Sequence, residues 1–254
     1  MRNPTRRNRN IGTPKQGYGQ NNRFKIPIIH DLAFYERLGK YRQEFRYIQE
    51  QEFRFVIEET SKNYQHACTV NDVQRILQHI NLTNLEHVGL IVFRQPKRKE
   101  QVLSAVWGRC IYSFEFEGKY YPAIVIEATD CSKKLKWTKR LKPDGQEELQ
   151  RLREDGHEII TDKRHHIFNL TLENVRNTQL YRTLLHDMGH HAHYYEKVEA
   201  ASHEEEDLTL WQKRWEEYCK ISSMEKEKYA HQYADRLKKQ LIDKGIIPFD
   251  SIED

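Results

Sequence analysis

Residues 122–128 read PAIVIEA, an apolar stretch broken by a single acid in a chain of 254 residues that is 31% charged. A strand with so little alternation is predicted to be covered on both faces. It demands a sheet with material on either side, and the rest of the chain must supply it. Residues 106–116 and 119–128 are two strand candidates joined at Glu117-Gly118. Their β-branched and aromatic content, with a glycine at the bend, predicts a hairpin. Residues 87–93 form a shorter apolar run of strand length, and 167–174 alternate, with Phe168, Leu170 and Leu172 on one side. Between them, 131–142 (CSKKLKWTKRLK) read as a basic loop, and Asp144 as the cap of a helix ended by Gly156.

Helical periods flank these strands. Asp31 is a candidate cap for a long helix to about residue 60, since Phe34, Leu38, Tyr41, Phe45 and Ile48 recur at spacings of three and four. A second helix is expected over 71–80, with Val73, Ile76, Leu77 and Ile80 on its apolar side, and three more over 178–194, about 207–220 and 224–243. No internal repeat is present. Helices, then a small sheet, then helices make an α+β fold.

The net charge of +4 is lopsided. Residues 1–25 carry Arg2, Arg6, Arg7, Arg9, Lys15, Arg23 and Lys25 and no acid, which leaves 35 basic residues against 38 acidic in the remainder. This stretch, rich in Asn, Gly and Gln, predicts a disordered basic tail over 1–26. Such a tail can hold nucleic acid through phosphate charge, although a solvated tail is the favoured reading. No apolar run approaches the roughly 18 residues that a membrane helix needs, so no membrane association is expected. Without a secretory signal, and with Cys68, Cys110, Cys131 and Cys219 scattered, the expected setting is cytoplasmic with reduced thiols.

Residues 176–199 read RNTQLYRTLLHDMGHHAHYYEKVE. Asn177 or Thr178 can cap this helix, and Leu180, Leu184, Leu185 and Met188 supply its apolar face. His186 and His190 lie four residues apart, about 40° around and about 6 Å along a helix, so both imidazoles can reach one ion. Two imidazoles from one turn suit zinc and leave room for a third ligand and a water. The competing reading is a His-rich surface helix, since His191 and His193 add to the count. Downstream, 222–237 read SSMEKEKYAHQYADRL, with Glu227, Ala230 and Ala234 near one face. Small alanines allow close helix approach, and Glu227 is the candidate third ligand. The plain alternative makes it one of many surface acids.

These two motifs carry a resemblance. LLHDMGHH resembles the zincin active-site helix, usually HExxH. EKYAHQYA is similar to the later helix, with pattern E-x-x-A-x-x-Y-A, that brings a glutamate ligand in gluzincin-like minimal metallopeptidases. The strands with IVIEA fit the small mixed sheet above the metal in such folds. The helical periods place a helical N-terminal region over 27–85, and the resemblance, which spans about residues 105–240, implies a zincin-like peptidase domain over 86–254. It implies Zn2+ held by His186, His190 and Glu227, and a peptide or protein substrate. The family's general base is the glutamate after the first histidine, and here that position is Asp187. Aspartate is shorter by one methylene, about 1.5 Å of reach, and a base must come within about 3 Å of the attacking water. His231, four residues after Glu227, is a candidate to stabilise an oxyanion, or else a supporting histidine.

Three other readings compete. A metzincin-like site would take Glu196 as third ligand, but needs a glycine where His193 stands. An HD-domain phosphohydrolase would make Asp187 and Asp235 ligands and needs an all-helical fold with an upstream histidine, the nearest being His165 and His166. A metal-stabilised binding protein would carry Asp187 as a disabled base. The four tryptophans, Trp107, Trp137, Trp211 and Trp215, read as core or groove residues. The leading expectation is a zinc-dependent hydrolase, a peptidase with Asp187 as base, whose substrate pairs with the strand around residues 123–128.

Overall fold

The computed structural model describes residues 32–86, 88–97, 106–200 and 208–253, so the basic tail and Asp31 lie outside the described residues. The fold is α+β. Five strands, β1 (Tyr41–Ile48), β2 (Gln51–Glu58), β3 (Leu90–Arg94), β4 (Gly108–Phe116) and β5 (Lys119–Glu127), make one mixed sheet in the order β1-β2-β3-β5-β4. β2, β3 and β5 run parallel, and β1 and β4 are antiparallel to their neighbours. The PAIVIEA strand is interior, as its lack of alternation predicts. Ile124 and Ile126 join one core, while Ala123 and Val125 join the core on the opposite face. Glu117 and Gly118 both have positive φ, at 51° and 74°. That is the backbone a two-residue hairpin turn requires.

The long helix expected up to residue 60 is instead the β1–β2 hairpin. Its turn, Gln49-Glu50, has φ of 50° and 70° without a glycine. Helix-forming residues thus occupy a left-handed turn that normally selects Gly or Asn, and the sequence carries no visible break. Gln49 is held there by its side-chain amide, which donates to Leu77 O, Gln78 O and Ile80 O at 2.7 to 3.1 Å. Leu77 and Gln78 close α1 (Val70–Leu77), whose Thr69–Asp72 capping box fixes its start, and Ile80 lies in the turn beyond it. A short helix, α2 (Leu82–Leu85), leads into β3.

A second sheet of three strands, ordered β6-β8-β7, comprises β6 (Leu135–Thr138), β7 (Glu158–Thr161) and β8 (His165–Asn169). The stretch expected as a basic loop therefore contains a strand, in which Trp137 packs edge-on against Phe168 at 4.8 Å. Helix α3 (Pro143–Glu154) starts from Lys142 with proline in its first turn, so Asp144 lies inside the helix instead of capping it. Proline needs no amide partner there. β8 ends at Asn169, before the expected limit of 174, because Thr171 caps the next helix, its side chain accepting from Asn174 N.

Helices α4 (Leu172–Thr178) and α5 (Leu184–Tyr194) are joined by a π-helical segment, Gln179–Thr183, and a second one, Tyr195–Glu199, follows. Helices α6 (Leu208–Lys220) and α7 (Ser223–Asp243) close the fold. Leu180, Leu184, Leu185 and Met188 meet Phe53, Phe55, Ile91, Phe93, Ile124 and Ile126 of the sheet in the main core, along with Ala234, Leu237 and Leu241 of α7. No helix among the described residues is long and apolar enough to cross a membrane.

Candidate metal centre

Helix α5 is aimed by its apolar stripe and continues an existing helix, so Asn177 and Thr178 do not cap it. Thr178 is buried and donates to Asp155 Oδ2 at 2.9 Å, which makes His157 the donor to Thr178 at 2.9 Å. Helix α7 starts at a Ser222–Glu225 capping box. The two helices touch backbone to backbone. A Cβ built on Gly189 would lie 2.9 Å from both Cα and O of Ala230. Glycine in HDMGH is therefore a packing requirement, and Ala230 faces it.

This close approach brings Glu227 onto the histidine pair. His186 Nε2 lies 3.1 Å from Glu227 Oε2, and His190 Nε2 lies 3.4 Å from Oε1. The two imidazoles stand perpendicular, with ring centres 4.6 Å apart. Tetrahedral zinc with bonds of about 2.0–2.1 Å keeps its donors about 3.3 Å apart. The two histidine–glutamate spacings are close to that figure, but they run to different oxygens of Glu227, so they put both imidazoles at the carboxylate without fixing one ligand set. Electrostatics point the same way. Burial works to lower the His186 pKa, but hydrogen bonds to Asp187 and Glu227 outweigh it and raise it to about 9. Glu227 is held well below the usual carboxylate range by hydrogen bonds from His186 and His190. The pocket is thus an anionic group clamped by imidazoles, and a cation can take the place of the shared protons.

Asp187 is 5% exposed. Its Oδ1 is 3.6 Å from His186 Nδ1, and its buried Oδ2 has no hydrogen-bond partner among the described residues. Burial pushes its pKa up, against the pull of His186 and His190. The carboxylate lies against β4, where a Cβ on Gly108 would fall 3.3 Å from Oδ2.

His231 comes to the same place, its ring centre 4.5 Å from that of His186. Among the described residues, His186, Glu227 and His231 each place one ligand atom within 4.8 Å of the others, so the grouped trio holds His231 where the sequence reading put His190. Burial, then the His186 and Arg151 charges, lower the His231 pKa to about 4. Arg151 was not foreseen from the sequence, where it is one of many charges on a polar helix. Its Nη1 stands 3.3 Å from His231 Nε2. Both residues line a cavity of about 550 Å³ between α3 and α7, with Asp235, Arg182 and Lys238 among its walls.

The remaining candidates sit elsewhere. Glu196 accepts from Tyr229 OH at 3.0 Å and pairs with Lys197 at 3.1 Å, on a helix that continues unbroken to Glu199. His193 stacks on Tyr229 at 4.2 Å, and His191 Nε2 meets Glu86 O at 2.8 Å. His165 and His166 lie in β8 of the smaller sheet. The five-stranded sheet is not the all-helical setting of an HD domain. β5 is paired on both sides, so the strand around 123–128 has no free edge, and β4 is the outer strand next to β5. The four tryptophans are partly buried against two small apolar clusters. Compared with known families, curated proteins and solved structures, the chain matches none.

Proposed function

We propose that this protein is a zinc-dependent hydrolase of peptide bonds, a zincin-type metallopeptidase in which His186, His190 and Glu227 hold the metal. One observation carries the reading. A single carboxylate faces two imidazoles from successive turns of α5 at 3.1 and 3.4 Å, beside a buried aspartate with one unpartnered oxygen. When bound, zinc supplies Lewis acidity that polarises a scissile carbonyl and acidifies a water. Asp187 takes the proton of the attacking water, and the resulting carboxylic acid returns it to the leaving amine as the C–N bond breaks. His231 supplies a hydrogen bond to the carbonyl oxygen. The four cysteines are free, which supports a reducing, cytoplasmic setting.

Metal analysis of protein purified without added metal is expected to find one zinc per chain, and almost none in the His186→Ala, His190→Ala double variant. New amino termini should appear in an unfolded protein substrate and vanish with chelation. Paired iron or manganese with phosphatase activity would favour the HD-domain reading instead. Asp187 itself favours a second reading, a zinc-stabilised binding protein without turnover, since its short carboxylate is 5% exposed. Bound zinc without hydrolysis in either Asp187 or Asp187→Glu protein is the outcome that selects it.

A further inference from the structure

We propose that Arg151 fixes His231 as an Nδ1–H hydrogen-bond donor and thereby keeps it out of the metal's ligand set, leaving that set to His186, His190 and Glu227. The inference rests on the metal reading above and goes beyond it, because the trio whose ligand atoms lie within 4.8 Å of one another, His186, Glu227 and His231, holds His231 in place of His190. Arg151 Nη1 lies 3.3 Å from His231 Nε2. A guanidinium has five N–H donors and no acceptor, so the nitrogen facing it must be the acceptor. In an imidazole with one ring hydrogen, that hydrogen then sits on Nδ1. A ligating nitrogen must present a free lone pair. On His231 the Nε2 pair is engaged by Arg151, and Nδ1 carries the hydrogen. Whichever nitrogen is the one within 4.8 Å of the His186 and Glu227 donors, it cannot bind a cation while Arg151 stays.

Arg151 is well placed to stay. It lies 3.8 Å from Glu147 and 3.9 Å from Glu148 on its own helix. Glu148 is gripped at 2.7 Å through both oxygens by Arg182, which donates at 2.7 Å to Asp155. A fixed positive charge beside the ring also opposes a second cation at that point. His190 Nε2 instead faces the Glu227 carboxylate at 3.4 Å. Arg151 is therefore a positioning residue, which acts through the ring it holds.

Nitrogen NMR of full-length protein labelled at histidine reads the tautomer directly, first free of metal and then during zinc titration. His231 is expected to show a protonated Nδ1 and a bare Nε2 throughout, while His186 and His190 shift on zinc addition. In Arg151→Met the ring should move toward the ordinary Nε2–H form, and Arg151→Lys, which keeps a donor, should restore the original state. His231→Gln should leave zinc affinity nearly unchanged, whereas His190→Gln should lower it about 100-fold. An Nε2–H ring in the metal-free wild type, or equal loss of affinity in the two glutamine variants, overturns the proposal. If the wild type takes up no zinc, the metal reading falls, and the metal-free tautomer still decides whether Arg151 holds His231.

Discussion

At the scale of single residues, the helical spacing of His186 and His190 is legible in sequence because it is local, and four residues on a helix fix the geometry. Glu227 lies 41 positions from His186, and nothing local separates it from neighbouring acids. Its paired motif is what singles it out. Glu227→Gln is expected to weaken zinc affinity about 100-fold, while Glu196→Gln, whose carboxylate is occupied by Tyr229 and Lys197, leaves it unchanged. Calorimetric zinc titration checks the ranking, and the reverse order would move the third ligand to Glu196. Asp187→Ala should keep zinc and lower turnover by about 10²–10⁴-fold, as loss of a general base does. Zinc lost together with activity would instead make Asp187 a ligand. The pH dependence has a definite sign. The metal-free His186 pKa of about 9 is above its ordinary 6.5. Its contribution to stability is therefore full below pH 6.5 and is lost as pH rises through about 9. Thermal melts of metal-free protein should fall across that window, and Glu227→Gln should flatten the trend.

At the scale of elements, legibility followed the turn chemistry. The β4–β5 hairpin shows itself through Gly118, whereas the β1–β2 hairpin hides behind Gln49-Glu50. In β1 the aromatic residues that mimic a helical face, Tyr41 and Phe45, are 39% and 46% exposed, so their spacing never reports a buried stripe. The true signal was the alternation of Phe53 and Phe55, both fully buried. Glu50→Gly relieves a positive φ of 70° and is expected to stabilise by about 0.5–1 kcal/mol in urea unfolding. Gln49→Ala should destabilise, since its amide serves three carbonyls at and just beyond the end of α1. Gly189 belongs to this scale too. The small residues of α7 were readable as permission for close packing, but their partner was not, because sequence does not say which face meets which. Gly189→Ala puts a methyl 2.9 Å from the Ala230 backbone. The expected cost is about 1–3 kcal/mol, with weaker zinc binding as Glu227 is pushed off the histidines. Intact zinc affinity in a folded Gly189→Ala protein would mean that the helix contact does not set the site.

At the scale of the whole molecule, the proposed metal would join α5 to α7, two helices already packed through the core. Leu184, Leu185 and Met188 meet the sheet in the same cluster that holds Ala234, Leu237 and Leu241. Further ties do not involve the site. Arg176 pairs with buried Asp72 at 2.8 Å and also donates to Phe249 O at 2.9 Å, which fastens the C-terminal segment to α4 and α1. Zinc removal should therefore lower stability without abolishing the fold, unlike a small domain whose metal is its core. A ligand that binds only the native state, at 100 times its Kd, adds about 2.7 kcal/mol. For a domain of this size each kcal/mol moves Tm by about 2–4 °C, so chelation should lower it by about 5–10 °C. Circular dichroism before the melt should keep the mixed helix and strand signature. The His186→Ala, His190→Ala double variant should melt at one temperature with or without chelator, because nothing is left to remove. A wild-type melt that ignores chelator would mean that no metal is bound, and loss of secondary structure on chelation would mean that the sheet and helices depend on it. The fold's own core argues for the intermediate result, a site laid on a scaffold that stands without it.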